Sequence, residues 1–414
     1  MPESHHHSSK QPQFTIQDVI EAAGPDFLCG LTSFHEKVLK QIRGCGNGAN
    51  GYHLQKCSIC RYTEWCPRCC GGRNCTMCGG AGTLAWIEAR SKELLPLNYV
   101  HTVVDLPAVA NGLALDNQRV IYNLLFDASR QSILNQAKAN QDPLPFLPAI
   151  VMQLQTWTQR MDYLAHIHCL VSLGGYNPDA DVLVSLPHTS AIYSPEALVP
   201  DIISVFVAGL TELRQNGKLQ YRSERTSMLT DPEAWEALIK KLSDPDVWKI
   251  YTGPTHGGAL GTIRYLSTYV NKVAITNDRI LDVKDGMVTF QYEDRKKGCD
   301  SSRTLSVESF LRLFCMHIVP KGFHRTRMAG LLSRTKLLHR AQQAPRVGVD
   351  VEAPKPVEVK ERAVDLCPMC HAGRMRRIMT IYHRFLTERQ LKTIRDYGAH
   401  PPPLEDLYYY QDRA

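Results

Sequence analysis

This sequence predicts a mixed α+β fold, and three observations lead there. Apolar strands and amphipathic helices succeed one another without a regular strand–helix–strand repeat, which argues against a doubly wound parallel sheet. Cysteines crowd into an N-terminal stretch with few apolar residues to build a core of its own. The 414 residues suffice for two or three domains, and 43% hydrophobic with 21% charged residues is ordinary for a soluble globular chain.

Four segments are expected: a helical lead-in over 1–44, a cysteine module over 45–82, a main domain over 83–335, and a linker with a small C-terminal element over 336–414. Residues 14–43 carry apolar positions at helical spacing. Thr83–Leu95 reads as a helix leaving the cysteine module. His101–Pro107 reads as a strand stopped by its proline. Residues 115–140 are helical by pattern, 148–157 is strand-like, and Ala165–Leu173 is a strand closed by Gly174-Gly175.

A helical insertion is expected at about 190–247. Ser194-Pro195-Glu196 and Asp231-Pro232-Glu233 each supply an N-cap, a proline at the first helical position and an acid in the first turn. Asn216-Gly217 supplies a stop. Asp285-Gly286 marks a hairpin within Val283–Tyr292, and Ser309–Ile318 reads as a helix. Residues 341–365 read as an extended linker.

Composition narrows the function class. No apolar run reaches the length of a membrane span, and the polar N-terminus lacks the apolar centre of a secretory signal, so a reducing cytoplasm is the expected compartment. His5, His6 and His7 sit in that polar tail and are set aside. Between Ser309 and Val349 there is no acid, while Arg312, Lys321, Arg325, Arg327, Arg334, Lys336, Arg340 and Arg346 carry positive charge. Such a stretch suits a polyanion, because phosphate contacts release counterions.

Of 14 cysteines, eight lie between Cys45 and Cys78. Cys57-Ser-Ile-Cys60, Cys66-Pro-Arg-Cys69 and Cys75-Thr-Met-Cys78 are C-x-x-C knuckles, a spacing that lets two thiolates reach one ion at ~2.3 Å. Structural zinc is expected, with Cys57/Cys60 joined to Cys75/Cys78. Cys66, Cys69, Cys70, Cys45, His53 and the remote Cys367/Cys370 pair are candidates to complete a second site. The module would present Lys56, Arg61, Arg68 and Arg73 to DNA.

Two further strings carry chemistry. On a strand, His166 and His168 point the same way and can share a divalent ion when both are neutral. Gln159 comes within reach as a third ligand if 153–160 forms the neighbouring antiparallel strand. Tyr265 and Tyr269 are four apart and share a face of a helix, with Arg264 and Lys272 on its basic rim. A phenol is a poor nucleophile at neutral pH unless a metal or cation lowers the charge it attacks.

In these residues the chain resembles the two-tyrosine transposases of the HUH superfamily, relatives of the Helitron transposases. ELLPLNYVHTVVDLP (93–107), HIHCLVSLGG (166–175), RYLSTYVNKVAITNDRI (264–280) and FLRLFCMHIVPKGFHRTR (310–327) look like family segments in family order, and the likeness covers roughly 45–335. Leu164, Asp105 and Asn74 depart from the family pattern, which more often has histidine, threonine and histidine there.

The resemblance implies an HUH endonuclease domain with a central antiparallel sheet beside an N-terminal zinc module. It also implies Mg²⁺ or Mn²⁺ at His166, His168 and Gln159, with Tyr265 or Tyr269 attacking single-stranded DNA to leave a 5′-phosphotyrosine. Hairpin-forming transposon ends would be the partners, held in part by Lys321, Arg325 and Arg327. No Walker loop appears, so no nucleotide cofactor is expected. A plasmid replication initiator or relaxase would use the same chemistry, whereas a zinc-dependent DNA-binding regulator would bind without cutting.

Overall fold

The computed structural model describes residues 12–78, 83–189, 191–255, 260–261, 263–264, 267, 273–294, 298–352, 366–381, 385–396 and 408–409. The chain divides into two compact units. One comprises Met1–Ala81, Ile275–Leu311 and Val359–Ala414; the other comprises Gly82–Ala274 and Arg312–Glu358. The segment 275–311 therefore clusters with the N-terminal residues, although it lies inside the expected 83–335 domain.

In the first unit, helices Ile16–Cys29 and Ser33–Arg43 open the chain. Thr15 and Asp18 form a capping box on the first of them. A three-stranded antiparallel sheet follows in the order Met375–Ile381, Tyr52–Cys57, Thr63–Pro67, so a C-terminal strand pairs along its whole length with an N-terminal one. A separate meander runs Ile280–Lys284, Met287–Asp294, Cys299–Ser306. Its first turn holds Asp285 at φ 50° and Gly286 at φ 73°, the left-handed pair that a two-residue hairpin requires.

The second unit is built on an antiparallel sheet in the order Thr326–Gly330, Leu147–Trp157, Tyr163–Asn177, Asn98–Asp105, Ile250–Pro254. Val182–Ser185 adds to Tyr163–Asn177, and Arg346–Gly348 pairs with it in parallel. Residues 163–177 run straight through Gly174-Gly175, where the sequence suggests an end. The glycines serve close approach: Gly174 has φ 122°, and a Cβ at either position would meet the backbone of Val184 or Leu147.

Helices Gln118–Ala139, Pro195–Gln215 and Pro232–Leu242 cover one sheet face. Ile150, Met152, Leu154, Ile167, Cys169 and Val171 pack there against Tyr122, Phe126, Phe206 and Trp235. The helix starts are as the caps foretell: Ser194 Oγ accepts from the Ala197 N–H at 3.3 Å and Asp231 Oδ2 from the Ala234 N–H at 2.9 Å. Among the described residues no helix is long and apolar enough to cross a membrane.

The opposite face is divided along its length. At one end Tyr99, Ala149, Val151 and Leu170 pack with Ile87, Ile263, Leu331 and Leu338. At the other end alternation places Asp105, Gln153, Gln155, His166 and His168 side by side.

Candidate metal centres

Eight thiols form two sets of four. Cys45, Cys70, Cys75 and Cys78 make one, and Cys57, Cys60, Cys367 and Cys370 the other, with all four sulfurs of each set within 4.8 Å of one another. The Cys45–Cys78, Cys70–Cys78, Cys57–Cys370 and Cys60–Cys367 sulfur separations are 3.5, 3.8, 3.7 and 3.6 Å. A tetrahedron with metal–sulfur bonds of ~2.3 Å has sulfur–sulfur edges of about 3.8 Å, whereas a disulfide is ~2.05 Å. Both sets therefore fit zinc.

Backbone N–H groups of Cys60 and Gly373 donate to the Cys57 and Cys370 sulfurs. The Gly373 N–H in particular draws the Cys370 thiol down to about 6. A side chain at Gly373 would run into the Cys57 sulfur, so the two knuckles pack back to back through a glycine.

This partition corrects the expected one. Cys57/Cys60 do not share a site with Cys75/Cys78. The hairpin ending at Cys57 takes its outer strand from Met375–Ile381, which delivers Cys367 and Cys370. Cys75 and Cys78 fold back instead onto Cys45, just past the helix Ser33–Arg43. Cys66 and Cys69 belong to neither set. His53 Nδ1 lies 2.8 Å from Thr380 Oγ1, across the strand pair, rather than in a thiol site.

The polar end of the second unit's sheet holds a different donor set. His166 and His168 are 8% and 6% exposed, with ring centroids 4.9 Å apart. Burial pushes the His166 imidazole down to about 4, so it is neutral at physiological pH. Its Nδ1 lies 2.9 Å from the Leu164 carbonyl, to which it must donate, and this turns Nε2 into an acceptor. His168 Nδ1 lies 3.0 Å from His101 Nε2, with the two rings stacked at 5.2 Å. His166 thus presents Nε2 as a ligand atom, and His168 does likewise in the tautomer whose Nδ1 donates to His101, each held by a partner on Nδ1 as ligating imidazoles generally are. A divalent metal suits such a pair.

Gln159 does not sit across from this pair. It lies in the turn after Leu147–Trp157, beyond the last matched residues Trp157 and Tyr163. The strand partner of His166 is Gln155, and that of His168 is Gln153. Tyr265, Tyr269 and Lys272 lie outside the described residues. Residues 260–261, 263–264 and 267 are helical, Arg264 is exposed, and Ile263 packs with Val151 and Leu170 on the histidine face.

Two of the arginines expected to contact DNA are packed against aromatic rings. Arg325 is only 5% exposed, with its guanidinium 5.9 Å from the Trp157 ring centre. Arg327 lies 4.0 Å over the Phe126 ring and donates to Asn123 Oδ1. Strand parity turns Arg327, opposite Met152, towards the helix-covered face. Lys321, Arg334, Lys336 and Arg340 are exposed, the last paired with Asp181 at 3.1 Å.

Comparison with known proteins matches residues 149–338 to a family described as "Putative transposase" and residues 19–106 to one described as "Transposase zinc-binding domain". The chain is similar to transposases. A relative named "Putative transposase y4qJ", from Sinorhizobium fredii, is 29% identical over 360 residues, covering 83% of this chain and 89% of its own length. No solved structure matches. The transposase match at 149–338 contains His166, His168, Gln155 and the helical residues 263, 264 and 267. The zinc-binding match contains the whole Cys45 set but only Cys57 and Cys60 of the other.

Sequence reasoning overlooked Gln155, Gln153 and His101. The signal was available: glutamines at alternate positions in an otherwise apolar strand, LPAIVMQLQTW, mark one polar end of a buried face.

Proposed function

We propose that this protein cuts and rejoins single-stranded DNA at the ends of a mobile element through a phosphotyrosine bond. The observation that carries the reading is the pair of buried imidazoles, His166 and His168, each with its Nδ1 held by a partner, at the polar end of an antiparallel sheet face. The packing of Ile263 on that same face, two residues before Tyr265, supports it. So does the likeness to transposases over 149–338.

His166 and His168 would hold Mg²⁺ or Mn²⁺, which supplies polarisation of the scissile phosphate when bound. The phenol oxygen of Tyr265 or Tyr269 bonds to phosphorus as the phosphorus–oxygen bond to the upstream nucleotide's 3′ oxygen breaks. The phenolic proton passes through solvent to that oxygen, leaving a 3′-hydroxyl and a 5′-phosphotyrosine. A 3′-hydroxyl from the joining strand reverses the step and returns the proton to the phenol. One phosphate diester replaces another, so no ATP is consumed. Two tyrosines allow both cut strands to be attached before exchange. The zinc sets would brace a DNA-binding surface for hairpin ends, with exposed Arg61, Arg73, Arg376 and Arg377 as its cations.

The test offers single-stranded DNA from the element's own end, labelled downstream of the cut, with Mn²⁺. We expect a covalent protein–DNA adduct that is lost when Tyr265→Phe and Tyr269→Phe are combined. Binding of the DNA with no adduct from the wild-type chain would overturn the reading in favour of a DNA-binding regulator.

A further inference from the structure

His166 and His168 supply two nitrogens, and a divalent ion held by two imidazoles alone would be weakly and imprecisely placed. The donors nearby were weighed by type. Among the described residues the only groups of three or more His, Cys, Asp or Glu whose ligand atoms converge are the two thiol sets. Asp105, although it pairs with His166 on the other side of the strand, therefore does not close the site with the two histidines. Among the described residues a third donor is therefore of another kind.

We infer that Gln155 supplies it, through its side-chain oxygen. Gln155 is directly opposite His166 in the antiparallel register, which puts the two β-carbons about 5 Å apart on one face. It is 8% exposed. Its Nε2 donates to the Trp157 carbonyl at 2.9 Å, and this fixes which end of the amide is nitrogen: the flipped form would set two oxygens against each other. Oε1 is consequently the atom left over, and it is buried with no hydrogen-bond partner. A buried amide oxygen without a partner is costly, at about 1–3 kcal/mol, and such cost persists where a ligand relieves it.

The neighbouring glutamine is a built-in contrast. Gln153, opposite His168, has both ends occupied: Oε1 accepts from Thr326 Oγ1, and Nε2 donates to the Leu154 carbonyl at 3.1 Å. Two glutamines two residues apart share a face, and one is satisfied within the sheet while the other is not. The irregular register between Gln155 and Trp157 explains the difference, since it brings the Trp157 carbonyl within reach of the Gln155 amide and turns its oxygen away from strand partners. Two imidazole nitrogens and one amide oxygen leave positions open for phosphate oxygens, which suits a hard divalent ion better than a closed thiolate site would.

This assignment rests on the proposed cutting reaction but is read by metal binding as well. The full-length, zinc-loaded chain is titrated with Mn²⁺ without DNA, and free Mn²⁺ is followed by electron paramagnetic resonance. Gln155→Met keeps the volume and removes the oxygen, so we expect Mn²⁺ affinity to fall at least tenfold in a protein whose circular dichroism stays that of wild type. Gln155→Glu, which keeps an oxygen at the same reach, should retain or tighten binding, and Gln159→Ala should stay within twofold of wild type. Wild-type affinity in Gln155→Met, or loss of affinity in Gln159→Ala alone, overturns the assignment while leaving the cutting reaction standing if wild type still forms its DNA adduct. Absence of both Mn²⁺ binding and adduct in wild type overturns both.

Discussion

Two buried histidines of the second unit show how one residue type is put to separate uses. His166 stands among polar side chains at a sheet end, whereas His317, 3% exposed, is enclosed between Thr156, the Met161 carbonyl and the rings of Trp157 and Tyr163. Burial lowers the His317 imidazole from 6.5 to about 4. The folded state prefers the neutral ring, so its contribution is fully present above pH 6.5 and is lost as pH falls towards 4. At 1.36 kcal/mol per pKa unit, that interval corresponds to on the order of 3 kcal/mol. Urea melts of wild type should lose stability across this window, and His317→Gln, though less stable at pH 7, should show a flatter pH dependence. An identical slope in both proteins would show that His317 is not the titrating group. Nothing in the sequence marked out His317, because a lone His between Met316 and Ile318 carries no periodic signal. The H-x-H spacing on a strand did announce His166 and His168, since alternation alone puts them on one face.

At the scale of elements, the C-terminal strand Met375–Ile381 has little apolar packing of its own: Ile381 and Ile394 form a small cluster with Trp65 and Met379. What fixes it is pairing with Tyr52–Cys57 and the thiol set formed by Cys57, Cys60, Cys367 and Cys370. Cys367→Ser should therefore lower bound zinc from two ions per chain to one, as the two sets in the structure imply, and raise hydrogen exchange along 52–57 and 375–381. Cys66→Ser with Cys69→Ser should leave both ions in place. Metal analysis of the purified variants decides it, and retention of two ions in Cys367→Ser would contradict the partition. The C-x-x-C spacing made Cys57/Cys60, Cys75/Cys78 and Cys367/Cys370 legible in the sequence, but it marked Cys66/Cys69 equally and gave no sign of Cys45 with Cys70. That Cys57/Cys60 meet Cys367/Cys370 did not show, because it depends on a strand pairing between residues 327 apart, such as His53 with Thr380. The same holds for the third donor: Gln159 satisfied the spacing argument, but a turn at 158–161 moved the strand partner of His166 back to Gln155.

Across the whole molecule, the three-stranded sheet of the first unit and the large sheet of the second draw their stability from different sources. The second unit buries a continuous apolar layer between sheet and helices, including Phe126, Leu154, Ile167, Phe206 and Trp235. Burial on that scale is sufficient for a domain without metal. The three-stranded sheet of the first unit has thiol sets where a core would be, and metal binding there is folding free energy. A strong zinc chelator should thus act unevenly. Hydrogen exchange in its presence is expected to rise towards the unprotected rate over 45–78 and 366–381, while 98–105, 147–157 and 163–177 keep their protection. Mild EDTA, which strips Mg²⁺ or Mn²⁺ before zinc, should abolish adduct formation with no change in exchange at either place. Re-addition of Mn²⁺ would then restore cutting in the EDTA-treated protein but not in the zinc-depleted one. Uniform loss of protection across both units on zinc removal would mean that the sheet of the second unit depends on the thiol sets, contrary to what its apolar layer implies.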